Sequence, residues 1–239
     1  MSTRFKSVNG GFTVIEVVLF LAVSSLLAIG IFAGATVNIN NQRYHDAVKT
    51  FRASLQTQYT STLRVENPLH PEEPCQFAGE AGTLPRGTSR CELIGKLLTI
   101  ESGTKVTVRN ILGLPPAVEG PSTQTDLEVL KGYQLGVLDA NSQEFSPEWS
   151  TSVDWNGTST FQLILLRSPS SGTILTYART GNSMDVEEYV NNLSPATTQP
   201  DTTICVRPEG IAVADSQTIV IRSRGSSSNA VEDGLGTCT

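Results

Sequence analysis

The 239-residue sequence predicts an α+β fold in which one long N-terminal helix, first membrane-spanning and then amphipathic, packs on a mostly antiparallel β-sheet domain. Three observations predict it. From Phe12 to Val37 the chain is apolar, with Glu16 as its single charge and no proline. From Tyr44 to Tyr59 large apolar side chains recur at helical spacing. Beyond Pro68, short segments rich in Val, Ile, Leu and Thr alternate with Gly, Pro, Ser and Asn.

Composition narrows the classes further. With 38% hydrophobic and 17% charged residues, the chain is neither a disordered tail nor a collagen-like rod nor a disulfide-dominated miniprotein. A formal charge of −6 provides no overall basic field for nucleic acid. Two histidines and two methionines leave little material for a metal or redox centre, and no cofactor is expected.

The elements follow in order. At about 1.5 Å per residue, a helix from Phe12 to Val37 spans a bilayer core of about 30 Å. That run is too long for a secretory signal core, and Ala33-Gly34-Ala35, its small-residue site, still lies in apolar sequence. Glu16 sits awkwardly, because a charge inside hydrocarbon costs at least about 2.5 kcal/mol. Thr13-x-x-Glu16 is also a capping box, and the helix dipole favours a carboxylate in the first turn. Gly30-x-x-x-Gly34 fits a close-packing motif, although simple tolerance of glycine in membrane helices explains it as well. Arg4 and Lys6 precede the run while Arg43, Lys49 and Arg52 follow it, so charge alone leaves the topology open.

After Val37 the sequence turns polar without breaking. Tyr44, Val48, Phe51, Leu55 and Tyr59 draw one stripe, predicting a continuous helix to about Val65 that packs on a sheet. Glu66-Asn67-Pro68 stops it, and Pro68, Pro71 and Pro74 mark a stiff connection. Strands are predicted at Leu97–Glu101, Lys105–Leu112, Tyr133–Leu138, Thr160–Arg167, Thr173–Arg179, Thr202–Arg207 and Thr218–Arg222. Phe161 to Leu166 is nearly continuous in apolar residues and should be a buried strand. Ser183 to Leu193 reads as a short helix, and Asn156-Gly157-Thr158 as a turn.

Four cysteines, Cys75, Cys91, Cys205 and Cys238, allow three pairings, of which sequence proximity favours Cys75–Cys91 and Cys205–Cys238. His45 and His70 are isolated, and no Cys-x-x-Cys pair exists, so a zinc site is not expected. Glu72-Glu73 and Glu187-Glu188 read as solvated pairs. Asp201, Asp215, Glu232 and Asp233 could supply oxygen ligands but lack the EF-hand spacing. No Gly-x-Ser-x-Gly, His-Glu-x-x-His or phosphate-binding loop occurs, which leaves an enzyme the least supported class.

The string Gly10-Gly11-Phe12-Thr13-Val14-Ile15-Glu16, behind a short leader carrying Arg4 and Lys6 and ahead of an apolar helix, resembles the processing site of type IV prepilins and type II secretion pseudopilins. The specific likeness covers about the first quarter of the chain. It implies four segments: a leader at 1–11, a transmembrane or filament-core helix at 12–37, its amphipathic continuation at 38–66, and an extracytoplasmic β-rich domain of pilin-like fold at 67–239. It implies a prepilin peptidase that cuts between Gly11 and Phe12 and methylates the new amine of Phe12. Glu16 then takes the family's glutamate position and pairs with the Phe12 ammonium of an adjacent subunit. At 4 Å and an effective dielectric near 20 that attraction is about 4 kcal/mol before desolvation, so the pair selects register more than it adds stability. Many pilins carry a proline partway along this helix, where this chain has Ala33.

The resemblance also supplies partners and place. Other pilin or pseudopilin subunits, an inner-membrane assembly platform and membrane lipid are implied. The leader would be cytoplasmic and the large domain outside, first as a single-pass cytoplasmic-membrane protein and then in a pilus or periplasmic filament. Removal of eleven residues leaves a subunit large for a main pilin, which favours a minor pilin or pseudopilin. A Cys205–Cys238 bridge would staple the last segment as pilins commonly do. Arg207, Arg222 and Arg224 loosely resemble the basic tail of DNA-uptake minor pilins, although the acidic remainder and solvated edge arginines offer a blander explanation. The alternative from another class is a membrane-anchored surface-binding module, tethered by the same helix.

Overall fold

The structure is a computed structural model that describes residues 13–64, 91–117, 121, 123–194, 200–209, 216–234 and 238. The chain divides into two compact units, Met1–Gln42 and Arg43–Thr239. One helix, α1, runs from Val14 to Leu63 and contributes to both, two residues inside each expected end. The proline connection of 68–74 lies outside the described residues.

In the first unit α1 carries its apolar side chains outward. Ile15 is 71% exposed, Phe20 71% and Phe32 73%. Backbone polarity is closed internally, as a helix in hydrocarbon requires. The hydroxyls comply as well: Ser25 Oγ donates to the Leu21 carbonyl at 2.7 Å and Thr36 Oγ1 to that of Phe32 at 2.9 Å.

The second unit holds two antiparallel sheets. The larger is built from β1 (Glu92–Glu101), β2 (Lys105–Leu114), β3 (Gln134–Phe145), β5 (Phe161–Arg167), β6 (Ile174–Thr180) and the two-residue β9 (Arg224–Gly225), in the order β3-β2-β1-β5-β6-β9. The smaller contains β4 (Thr151–Trp155), β7 (Thr202–Pro208), β8 (Gln217–Ile221) and β10 (Val231–Gly234), in the order β10-β8-β7-β4. Each of the seven expected strands is present. Expectation fell short of β1 by five residues and of β3 by seven, and it omitted β4, β9 and β10.

The predicted stripe is the centre of the main core. Tyr44, Val48, Phe51, Leu55 and Tyr59 pack with Leu98 and Ile100 of β1, Phe161, Leu163 and Leu165 of β5, and Ile204, Val206, Ile219 and Ile221 of the smaller sheet. The second face of the larger sheet needs its own cover, because β1 and β5 are buried on both faces as their unbroken apolar runs demand. Two short helices provide it. α2 (Asp126–Lys131) brings Leu127 and Leu130, and α3 (Val186–Asn192) brings Val186 and Val190, onto Ile94, Leu97, Ile164, Leu166 and Tyr177. α2 opens on a capping box, Thr125 with Glu128, and α3 on Asp185, whose carboxylate accepts from Glu188 N at 3.0 Å.

The expected turn at Asn156-Gly157 is a tight two-residue reversal: Trp155 and Thr158 exchange both backbone hydrogen bonds, at 3.0 and 2.9 Å. Asn156 and Gly157 take φ of 49° and 73°, the left-handed pair such turns require.

Candidate functional site

Two regions carry the sequence-derived site residues, and the first is the start of α1. Thr13 N and Thr13 Oγ1 both donate to Glu16 Oε2 at 2.9 Å, and Glu16 N donates back to Thr13 Oγ1 at 3.3 Å. The capping box read from the sequence is therefore formed, and within the described chain the carboxylate meets only its own helix start. Gly11 and Phe12 lie outside the described residues. Downstream, a Cβ added to Gly30 or Gly34 would meet nothing within 4 Å, so no packing among the described residues requires glycine there. The large apolar side chains from Val14 to Ile39 form an exposed surface of a kind that soluble monomers do not leave in water, and by length and composition the helix can cross a membrane.

The second region is the smaller sheet. Cys205 in β7 is bridged to Cys238 with a Cα–Cα distance of 5.6 Å, tying the chain's last segment to the sheet. In the chain-entropy description, closing a loop of 33 residues is worth about 4 kcal/mol. Cys91 is also disulfide-bonded, while Cys75 lies outside the described residues. At the same end, the Tyr44 hydroxyl donates to the Val206 carbonyl at 2.7 Å and accepts from Gln217 N at 2.6 Å, fixing α1 to the sheet.

The three arginines do not form one patch. Arg207 stands at the end of β7, whereas Arg222 follows β8 beside Thr202 at the other end of the same strand. Five residues of strand separate them, about 17 Å. Arg207 and Arg222 each have a carboxylate partner. Arg207 pairs with the nearly buried Asp154, and Arg222 reaches Asp201 at 2.9 Å and Glu232 at 3.3 Å. The Ser223 amide and then Arg222 hold the Asp201 carboxyl below its ordinary range. Arg224 lies exposed on β9.

The other candidates disperse. Asp233 pairs with Arg52 of α1 rather than with Asp201 or Glu232. Asp215 and His70, like Glu72-Glu73, lie outside the described residues. Among the described residues no three metal-ligating side chains converge. Glu187 is not coupled to Glu188: its Oε2 accepts from Leu135 N at 3.1 Å and so joins α3 to β3. His45 Nδ1 is 2.7 Å from Gln217 Nε2, on the rim of a groove of about 360 Å³ that also holds Lys49 and Asp233.

Sequence reasoning missed one surface feature. Trp149 is half exposed, with the Arg43 guanidinium 5.0 Å above its ring. A lone tryptophan in the polar run Glu148-Trp149-Ser150 was its available signal. The chain has no match among protein-family models, curated proteins or solved structures.

Proposed function

We propose that the chain is a non-enzymatic structural subunit, a minor pilin or pseudopilin, of a type IV pilus or type II secretion-like filament. A prepilin peptidase removes residues 1–11, methylates Phe12, and leaves a protein held in the cytoplasmic membrane until the assembly platform extracts it. The observation that carries the reading is a Gly-Phe junction four residues before the single carboxylate of an exposed apolar helix. Such a helix needs a covering, and lipid before assembly and neighbouring helices after it both supply one. Repeated head-to-tail contacts, each joining two different complementary surfaces and never closing on themselves, then propagate a filament.

A second reading has one specific feature in its favour. Because Thr13 already satisfies Glu16, the carboxylate does not require a neighbour, which suits a plain tether carrying a surface-binding domain.

Mass spectrometry of the native protein's first peptide separates the two. The filament reading expects methylated Phe12 at the N-terminus, and the tether an intact leader. Glu16→Gln, which can still cap, should leave cleavage largely intact and impair incorporation into filaments. Normal incorporation of that variant would remove the charge-pair role.

A further inference from the structure

We infer that Trp149, with Arg43 stacked on it, is a membrane-interface contact that seats the β-rich unit in the lipid headgroup layer of the bilayer its own N-terminal segment crosses. The inference rests on the membrane reading of Phe12–Val37 proposed above.

Among the described residues, the large apolar side chains left exposed are those of α1 between Val14 and Ile39, and Trp149. The chain's other tryptophan, Trp155, is partly buried and packs its ring 6.3 Å from that of Phe161 in the core. Trp149 is held outward by its backbone. It and Ser150 have φ of 55° and 53°, a region bulky residues seldom occupy. The turn is fixed by Thr151, whose N and Oγ1 donate to the Glu148 carbonyl at 3.2 and 2.7 Å, and by Glu209 N, which donates to the Ser150 carbonyl at 2.7 Å. An indole left in water gains little from the core to offset that conformation.

Chain length limits how far the pair can stand from the membrane. Arg43 is the first residue of the second unit and follows Val37, the end of the apolar run, by six residues. Even fully extended, six residues reach no further than about 22 Å. The headgroup region begins at the hydrocarbon edge and is about 5–7 Å deep on each side. The indole and the guanidinium above it are therefore tethered within reach of that layer. Their chemistry suits it, since an indole has an apolar body and a polar N–H, and a guanidinium donates to phosphate oxygens. Glu148, Glu209 and Asp46 are exposed nearby, so the locality is not basic. That selects a zwitterionic headgroup layer over nucleic acid or a strongly anionic surface.

The test uses the full chain reconstituted into phosphatidylcholine vesicles. Trp155→Phe makes Trp149 the reporter, and the difference between the native chain and Trp149→Phe gives the same readout with Trp155 untouched. The expected result is a blue-shifted Trp149 emission, stronger quenching by lipids brominated near the headgroup than by lipids brominated deep in the chain, and protection from aqueous acrylamide. Trp149→Ser should still float with vesicles, because the apolar helix holds it. Flotation with an indole open to acrylamide and blind to bromine overturns the inference and leaves the membrane reading standing. An indole shielded from acrylamide yet blind to bromine assigns Trp149 to a contact with a second copy and also overturns it. A native chain that does not float removes both readings together.

Discussion

Arg207 and Arg222 look alike in the sequence, yet their partners differ in burial. Asp154 has 9% of its side chain exposed, and among the described residues it accepts, besides Arg207, from Gly157 N at 3.2 Å. Stripping away the guanidinium leaves a desolvated carboxylate short of a partner. Arg222 is half exposed, and its two carboxylates are 34% and 48% exposed, where water replaces a lost partner readily. Arg207→Ala should therefore reduce unfolding free energy by about 1–3 kcal/mol, and Arg222→Ala by less than about 1 kcal/mol. Chemical denaturation of the two variants under oxidising conditions checks this, and equal costs would show that Asp154 finds another partner. The same burial bears on function. An arginine committed to a nearly buried carboxylate is a poor phosphate ligand, so this contact favours a structural role for Arg207 over a DNA-binding one.

At the scale of elements, β1 and β5 are the frame on which both cores are built. Their close approach depends on one residue. Gly95 sits at the irregularity in β1 where the register with β2 slips, and it faces Leu166 of β5. A Cβ at this position would lie 2.0 Å from the Leu165 carbonyl oxygen, which is backbone and has no rotamer to yield. Gly95→Ala should therefore cost about 4 kcal/mol or more, lowering the thermal midpoint sharply, whereas Gly30→Ala, with nothing nearby, should leave the β-rich unit's midpoint unchanged. The slip at Gly95 also explains a missed boundary. Glu92-Leu93-Ile94-Gly95-Lys96 contains a glycine and a lysine, residues that weaken a strand signal, although the strand runs through both. Edge elements were illegible for a related reason. Beyond Leu138, β3 carries Asp139, Gln143 and Glu144 exposed at the sheet margin, and β10 is Val231-Glu232-Asp233-Gly234. A strand with a neighbour on one side only needs few apolar residues, so composition does not announce it. By contrast, the Tyr44–Tyr59 stripe and the Phe161–Leu166 run were readable because burial on a definite face imposes a period or a run. Of the site, the Thr13–Glu16 box and the Cys205–Cys238 bridge were legible from local spacing. The separation of Arg207 from Arg222 was not, since it depends on which strands pair.

For the whole molecule, the physical contrast lies between a unit that buries its apolar surface and a segment that does not. Every residue of the buried clusters comes from Tyr44 onward. The lower half of α1 is fastened there at several points: by the Tyr44 hydroxyl, by Gln56 Nε2 donating to the Val231 carbonyl at 3.0 Å, and by Arg52 with Asp233. The exposed apolar surface of α1 comes instead from Val14 to Ile39. If folding and attachment are separable in this way, a fragment from Asn38 to Thr239 retains the folding half. Its lead, Asn38 to Gln42, is mostly polar and lets the helix fray before Tyr44 without loosening the core. Exported to an oxidising compartment so that its disulfides form, this fragment should be soluble and monomeric and should unfold in one transition. Its midpoint should match that of the β-rich unit in the detergent-solubilised full chain, and it should neither float with vesicles nor enter filaments. Calorimetry and sedimentation check these expectations. A fragment that aggregates, or melts well below the full chain, would mean that the segment before Asn38 stabilises the domain itself. The exposed apolar surface would then belong to the fold rather than to a membrane or to neighbouring subunits.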